Sequence, residues 1–265
     1  MPERLVPLTT AAVLSTAARR VPTCRSAAAV CGVALTLVVC VGGRPGDGRL
    51  AAADPAVAAP SPDRHPDLKR LSPREDVWID APGRRVVVGG VIAIDKGPIE
   101  YFACPEGTKE HESIVATRSS ARLVHAALLA IGLVPGRPVS FDPAYAAAVG
   151  PAVQVTMRWK DEAGVLNERP AQRWIRDTRS GEAMREQWVF AGSSFWTDPS
   201  DGKEYYQADG GDLVCVSNFP TAMLDLPIES SQSNEALLFE AFEGRVPPRG
   251  TEVEMILSAA PAAGR

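Results

Sequence analysis

The chain has 265 residues, of which 45% are hydrophobic and 23% charged, and its formal net charge is −4. This composition is typical of a soluble globular domain and excludes collagen, a long coiled coil and a protein with several membrane spans. The absence of a basic excess argues against nucleic-acid binding.

Residues 1–41 have the pattern of a signal or anchor segment. Arg4, Arg19, Arg20 and Arg25 precede a stretch, residues 26–41, that carries no charge. A basic region followed by an apolar run is the arrangement of a secretory signal, and this run is shorter than the roughly 20 residues that span a bilayer. We therefore expect export to the periplasm or cell envelope, with membrane contact only through this segment.

The segment can be processed in three ways, which remain open at this point. Small residues at 51–53 precede Asp54 and would suit a signal peptidase. The four residues ending at Cys40 are similar to a bacterial lipoprotein box, although Val39 stands where a small residue is usual, so Cys40 is a candidate lipidation site. The third alternative is an uncleaved anchor at the N-terminus.

The distribution of aromatic residues predicts where the folded domain begins. All 7 Phe, 5 Trp and 4 Tyr lie between Trp78 and Phe242. Residues 42–74 are rich in proline, alanine and glycine and show no periodicity, which predicts a flexible linker. We expect a single domain over residues 75–258 and a disordered tail over residues 259–265.

Strand patterns dominate this domain. Apolar and polar residues alternate over 153–160 and over 252–257, and this period of two indicates antiparallel strands with one buried face. The apolar run 86–94 contains Gly89 and Gly90, which suggest a bend within a strand. Aromatic residues on both sides of the loop 198–202 predict a hairpin.

One helix is predicted over about 120–131. Ser119 or Ser120 can cap its start, Gly132 can end it, and Val124 and Leu128 belong to an apolar stripe. The predicted fold class is α+β: a β-rich, mostly antiparallel sheet or sandwich with this one main helix packed on it.

Six blocks of the chain resemble the YdjY-domain family of exported bacterial proteins, which are common in planctomycetes. The blocks are CPEGTKEHES (104–113), VHAALLAIG (124–132), WVFAGS (188–193), CVSNF (215–219), LDLP (224–227) and VPPRGT (246–251). The resemblance implies export and a single domain, but it implies no reaction. Some family names suggest iron–sulfur binding, yet two cysteines in the domain cannot supply four thiolates to a cluster.

Candidate site residues concentrate in one part of the domain. Cys104, His111 and His125 lie within 22 residues of sequence and are accompanied by Glu112. Imidazole, thiolate and carboxylate are ligands that zinc accepts, so these four residues form a candidate site for a divalent metal such as zinc. The structural alternative is that His125 lies at the edge of the helix stripe and bonds to a backbone carbonyl.

Cys104 and Cys215 have competing interpretations. In an exported domain they can form a disulfide, which would exclude metal ligation by Cys104, or they can be unpaired core residues. No common nucleotide-binding, metalloprotease or nucleophile motif is present in the sequence, so no catalytic residue is assigned.

These observations favour a non-enzymatic binding or interaction module of the cell envelope, with or without a metal and with an envelope protein as a possible partner. The alternative is a metal- or cysteine-dependent envelope hydrolase. An iron–sulfur or redox protein is a minor alternative that rests on family names alone.

Overall fold

The computed structural model describes residues 62–230 and 237–261. The strands are β1 (Lys69–Arg70), β2 (Val77–Asp80), β3 (Arg85–Ile92), β4 (Gly97–Pro98), β5 (Tyr101–Pro105), β6 (Ser113–Thr117), β7 (Ala152–Lys160), β8 (Leu166–Pro170), β9 (Ile175–Asp177), β10 (Trp188–Phe190), β11 (Phe195–Thr197), β12 (Glu204–Tyr206), β13 (Val214–Cys215), β14 (Leu224–Asp225), β15 (Phe239–Ala241) and β16 (Glu252–Ala259). The helix α1 spans Ala121–Ala130, and three 3-10 turns span Glu110–Glu112, Ala171–Trp174 and Gln207–Gly210.

The main sheet closes into a barrel, so the predicted α+β sheet or sandwich is wrong. The strands follow one another around the barrel in the order β3, β16, β7, β10, β14, β13, β5 and β6, and β6 pairs with β3 to close the ring of eight. Strands account for 37% of the residues and helices for 11%, so the fold is mainly β. Closure removes the exposed edges that an open sheet would have.

Strand β3 changes partner on one edge at Gly89 and Gly90, where the sequence predicts a bend. Residues 85–88 of β3 pair with β2, whereas Gly90 to Ile92 pair with β6. A Cβ atom on Gly90 would lie 2.5 Å from the carbonyl oxygen of Ala116 in β6. Glycine at this position therefore permits the close backbone approach that closes the barrel.

The interior of the barrel is filled by alternate residues of the long strands. In β7 and β16 the predicted alternation is confirmed, because Val155 and Met157 are fully buried and pair with Leu257 and Met255. Residues on the opposite faces of these strands are partly exposed or pack against outer segments.

The predicted helix is also found. The Ser120 hydroxyl accepts a hydrogen bond from the Leu123 amide at 3.3 Å, and Gly132 follows the helix with φ +90°. Val124 and Leu128 are fully buried in the main core, and the helix contacts β2 and β3. The helix therefore covers part of the barrel instead of packing on an open sheet.

Residues 62–71, which the sequence assigns to the linker, lie against the outside of the barrel. Lys69 and Arg70 pair with β2, and Asp63 accepts a hydrogen bond of 2.8 Å from the indole nitrogen of Trp78. The His65 ring contacts Trp78 edge-on at 4.9 Å and its Nε2 lies 2.6 Å from Glu254. Trp78, which faces outward from β2, is thereby fully buried.

The predicted signal segment 1–41, candidate Cys40, the cleavage site at 51–53 and most of the predicted tail lie outside the described residues. Within the part that the structure describes, no helix combines the length and the apolar character needed to cross a membrane.

Candidate functional site

The hairpin formed by β11 and β12 carries all the exposed aromatic side chains. Every one of the 7 Phe, 5 Trp and 4 Tyr residues is described by the structure. Only Phe195, Trp196 and Tyr205 are exposed, with relative accessibilities of 57%, 49% and 43%. Exposed aromatic groups that are concentrated on one element commonly mark a binding surface.

Cross-strand register divides the hairpin into two faces. Phe195 pairs with Tyr206 and Trp196 pairs with Tyr205. Because neighbouring residues of a strand point to opposite faces, the first pair lies on one side of the hairpin and the second pair on the other. We call the side with Phe195 and Tyr206 the inner face, and the side with Trp196 and Tyr205 the outer face.

The inner face is anchored to α1 through His125. The Tyr206 hydroxyl donates a hydrogen bond of 2.9 Å to the Gly192 carbonyl and lies 2.8 Å from Nδ1 of His125. Since the phenol proton is used by Gly192, its oxygen accepts from the Nδ1–H group. The His125 ring also contacts Phe190 edge-on at 4.9 Å. Burial lowers the pKa of His125 and so favours the neutral imidazole, whose single ring N–H is then the Nδ1–H group that bonds to Tyr206.

Arg122 adds a second connection between α1 and the hairpin. Its guanidinium carbon lies 5.8 Å from the centre of the Phe195 ring, and its backbone amide donates a 2.9 Å hydrogen bond to Asp209. Asp209 belongs to the 3-10 turn that directly follows β12. The start of β11 and the turn that follows β12, which together form the base of the hairpin, are thus held near the start of α1.

The turn that leads into the hairpin has an uncommon backbone conformation. Gly192 and Ser193 both have positive φ angles, +99° and +55°. The Ser193 hydroxyl donates a 2.6 Å hydrogen bond to the Thr221 carbonyl, and the backbone amides of both residues bond to Ala222 and Met223. Ser193 therefore has a structural role in fixing the direction in which the hairpin leaves the barrel.

The outer face has polar groups on either side of its aromatic pair. At the base of the hairpin, the Gln207 side-chain amide donates a 2.8 Å hydrogen bond to the Ser194 hydroxyl. At the loop end, the Tyr205 hydroxyl donates to Asp201 at 3.1 Å, and Lys203 forms a 3.0 Å ion pair with the same carboxylate. The aromatic pair, together with Ser194 and Gln207, is called the aromatic platform below.

The four predicted metal ligands are not brought together. His125 contacts the hairpin, whereas the His111 side chain is 75% exposed and its Nε2 lies 3.5 Å from Glu112. Cys104 is fully buried in β5. Over residues 62–230 and 237–261, no group of three or more His, Cys, Asp or Glu side chains is arranged to hold a metal ion.

Cys104 and Cys215 are free thiols in the structure. Cys215 pairs with Tyr101, so Cys104 lies three residues further along the neighbouring strand, a displacement of about 10 Å. A disulfide would require the backbone to move, because bridged Cα atoms lie within about 7 Å. Burial raises the pKa of both thiols, which disfavours the reactive thiolate.

A cluster of carboxylates surrounds Lys109. Of its members, the sequence predicted only Glu112 as a site residue. The Lys109 ammonium lies 3.5 Å from Glu112, while the charges of Glu112 and Asp212 both act on Glu100. Burial raises the pKa of Glu100 and Asp212. Glu100 is 9% exposed and 112 positions from Asp212 in the sequence, so no local spacing could have joined the two.

The aromatic platform was also missed, although the hairpin that carries it was predicted and is confirmed. Alternation places Phe195 and Trp196 on opposite faces, and the sequence does not show which face the barrel covers. One signal in the sequence could have found the platform: both short strands carry aromatic residues at consecutive positions, which point to opposite faces of the hairpin. Since the protein can cover only one face of a projecting hairpin, some of these aromatic residues must be exposed.

A family model for the YdjY domain matches residues 77–258. The match covers more than half of the chain, and the chain belongs to the YdjY-domain family, a family of uncharacterised function. No curated protein and no solved structure gave a significant match.

Proposed function

We propose that this chain is an exported, non-enzymatic binding module of the cell envelope, and that it holds its ligand on the aromatic platform. The observation that carries this proposal is the concentration of all exposed aromatic side chains on one hairpin. Large rigid rings contribute most to binding because they bury much apolar surface while losing little conformational entropy.

The anchoring of the hairpin supports this role. An isolated two-stranded hairpin is only marginally stable in water, so a free hairpin would lose entropy when it bound a ligand. Here Tyr206 is buried, bonds to Gly192 and contacts His125. These contacts tie the hairpin that carries the platform to the barrel and to α1, which lowers the conformational entropy that binding would cost.

The N-terminal sequence supports the location. The basic residues before the uncharged run 26–41 have the order of a secretory signal, and a lipid on Cys40 or an uncleaved anchor would keep the module at a membrane. Residues 26–265 carry a formal charge of −7 once the +3 of residues 1–25 is removed. Such a body has little electrostatic attraction to nucleic acid or anionic lipid.

The alternative of a metal- or cysteine-dependent hydrolase has less support. Cys104 and Cys215 are fully buried, and burial raises the pKa of both thiols. An activated cysteine needs the opposite shift and access to substrate. Among residues 62–230 and 237–261, no group of three possible metal ligands supports a zinc-dependent reaction.

The proposal is tested by retention on envelope material. The full chain would be incubated separately with isolated cell-wall sacculi and with membranes, then sedimented. We expect the double variant Trp196→Ala/Tyr205→Ala to lose retention that the natural chain shows on at least one fraction. Membrane association through the N-terminal segment would be the same in both proteins, so it does not confuse the comparison.

Leu166→Ala is a matched control, because Leu166 is a 60% exposed apolar side chain on β8, outside the hairpin. This variant should be retained like the natural chain. Equal retention of the double variant and the natural chain on every fraction would contradict the proposal. Circular dichroism of all three proteins would show that the barrel remains folded.

A further inference from the structure

We infer that the ligand of the aromatic platform is a neutral, extended oligosaccharide, such as a β-1,4-linked chain of hexose or N-acetylhexosamine units. This inference rests on the proposed function and names the chemical class that the platform recognises. It follows from the order of groups along the outer face, from their charges and from the length of the hairpin.

The centre of the outer face offers two rings for stacking. The ring centres of Trp196 and Tyr205 are 6.1 Å apart and their planes are inclined by 35°. Each side chain is nearly half exposed. A pyranose ring has an apolar face formed by its C–H groups, and such a face can pack on an aromatic ring as other apolar groups do.

Hydrogen-bonding groups lie on both sides of these rings. Ser194 and Gln207 pair across the strands next to Trp196 and Tyr205, as shown by the 3.0 Å backbone hydrogen bond from Gln207 to Ser194. Side-chain amides and hydroxyls both donate and accept, which suits sugar hydroxyls. On the other side of the rings lies the carboxylate of Asp201, an acceptor.

The length of this surface favours a chain of sugars over a single ring. Residues 194 to 198 extend over about 13 Å at the rise of an extended strand. The backbone amide of Asp198 bonds to the Lys203 carbonyl, so strand pairing continues to the start of the loop. A β-1,4-linked chain is itself extended and can follow such a surface.

The charges of the outer face argue for a neutral ligand. The Asp201 carboxylate, which accepts from the Tyr205 hydroxyl, is already paired with Lys203 at 3.0 Å. A cationic ligand would have to compete with Lys203 for this carboxylate. An anionic ligand would meet Asp198 and Asp201 with only one lysine in the loop. Asp198 already accepts hydrogen bonds from the Ser200 amide and hydroxyl, so neither carboxylate is left without a partner for a cation, whereas neutral hydroxyl groups can bond to every polar group present.

The test is titration calorimetry of the full chain with tetra-N-acetylchitotetraose and, separately, with cellotetraose. We expect one of these probes to bind, and Trp196→Ala or Tyr205→Ala to weaken that binding about tenfold or more. Binding should change little between 50 mM and 500 mM salt, because no net charge is neutralised. Leu166→Ala should bind like the natural chain.

The outcomes separate the ligand class from the binding surface. If neither probe binds, but sacculi still retain the natural chain and not the double variant, the oligosaccharide assignment is overturned and the binding surface stands. If retention falls steeply with salt, the ligand is charged and the inference is wrong. If a probe binds equally to the natural chain and to both platform variants, the sugar lies elsewhere and the inference is also wrong.

Discussion

Asp225 provides a direct test of the electrostatics inside this fold. Its side chain is fully buried, and its Oδ1 atom accepts hydrogen bonds from the Leu226 amide at 2.8 Å and from Asn218 at 3.2 Å. The Oδ2 atom is buried without a hydrogen-bond partner. The pKa of Asp225 is raised to about 7, chiefly by burial and to a smaller extent by the charge of Asp212, against the lowering effect of the two donors.

The sign and size of the effect follow from linkage. A folded-state pKa of about 7 against an ordinary value of 3.8 means that the folded protein binds this proton more tightly than the unfolded chain. Stability from this group is therefore complete below pH 3.8 and is lost as the pH rises towards 7. A difference of about 3 pH units corresponds to about 4 kcal/mol, or about 1.4 kcal/mol per pH unit within this window.

The perturbation is Asp225→Asn, which keeps an oxygen for both donors and removes the charge. The free energy of unfolding would be measured by urea denaturation, with tryptophan fluorescence, at intervals from pH 4 to pH 8. The stability of the variant relative to the natural protein should rise by about 4 kcal/mol across this range. A constant cost of placing the amide nitrogen at the buried Oδ2 position does not affect this slope.

Asp67→Asn serves as the control, because Asp67 is exposed. Its curve should run parallel to that of the natural protein at every pH. If the curve for Asp225→Asn is also parallel, Asp225 is ionised in the folded protein throughout this range, and the reasoning from its burial is refuted.

Three further predictions concern the barrel, the thiols and the hairpin. Gly90→Ala should lower the urea midpoint strongly, because the added Cβ would meet the backbone of β6. Gly210→Ala is the control: its added Cβ would meet no atom within 4 Å, so this variant should unfold at the natural midpoint. Equal midpoints for the two variants would contradict the closure argument. Cys104 and Cys215 should react with iodoacetamide only after unfolding, as shown by mass spectrometry, since both are fully buried; labelling of the folded protein would disprove this. Tyr206→Phe should lower the free energy of unfolding by about 1–3 kcal/mol, because the buried Gly192 carbonyl and the His125 imidazole would lose their hydroxyl partner. An unchanged free energy of unfolding would show that these contacts do not hold the hairpin.

Features that depend on neighbouring residues could be predicted from the sequence. The helix needed only a serine cap, an apolar stripe and a glycine, and the observed Ala121–Ala130 lies within the predicted 120–131. The hairpin of β11 and β12 needed only aromatic strands around a loop of turn-forming residues. These patterns are local because turns, caps and strand periodicity involve contacts a few residues apart.

The candidate site depended on contacts that no local pattern records. His125 was predicted as a metal ligand because His111, Cys104 and Glu112 are near it in sequence, yet its polar partner is Tyr206, 81 positions away. Proximity in sequence is a weak guide here because strands that are adjacent in a barrel can come from distant parts of the chain.

The amino-acid sequence by itself determined the family, the period of the long strands and the helix. Only the tertiary structure decided that the sheet closes, since closure requires β3 to pair with both β16 and β6, and strand periodicity is the same in an open sheet and in a barrel. The same holds for the aromatic platform: alternation defines two faces of a hairpin, but only the tertiary structure shows that Tyr206 is buried against His125 while Trp196 and Tyr205 remain exposed.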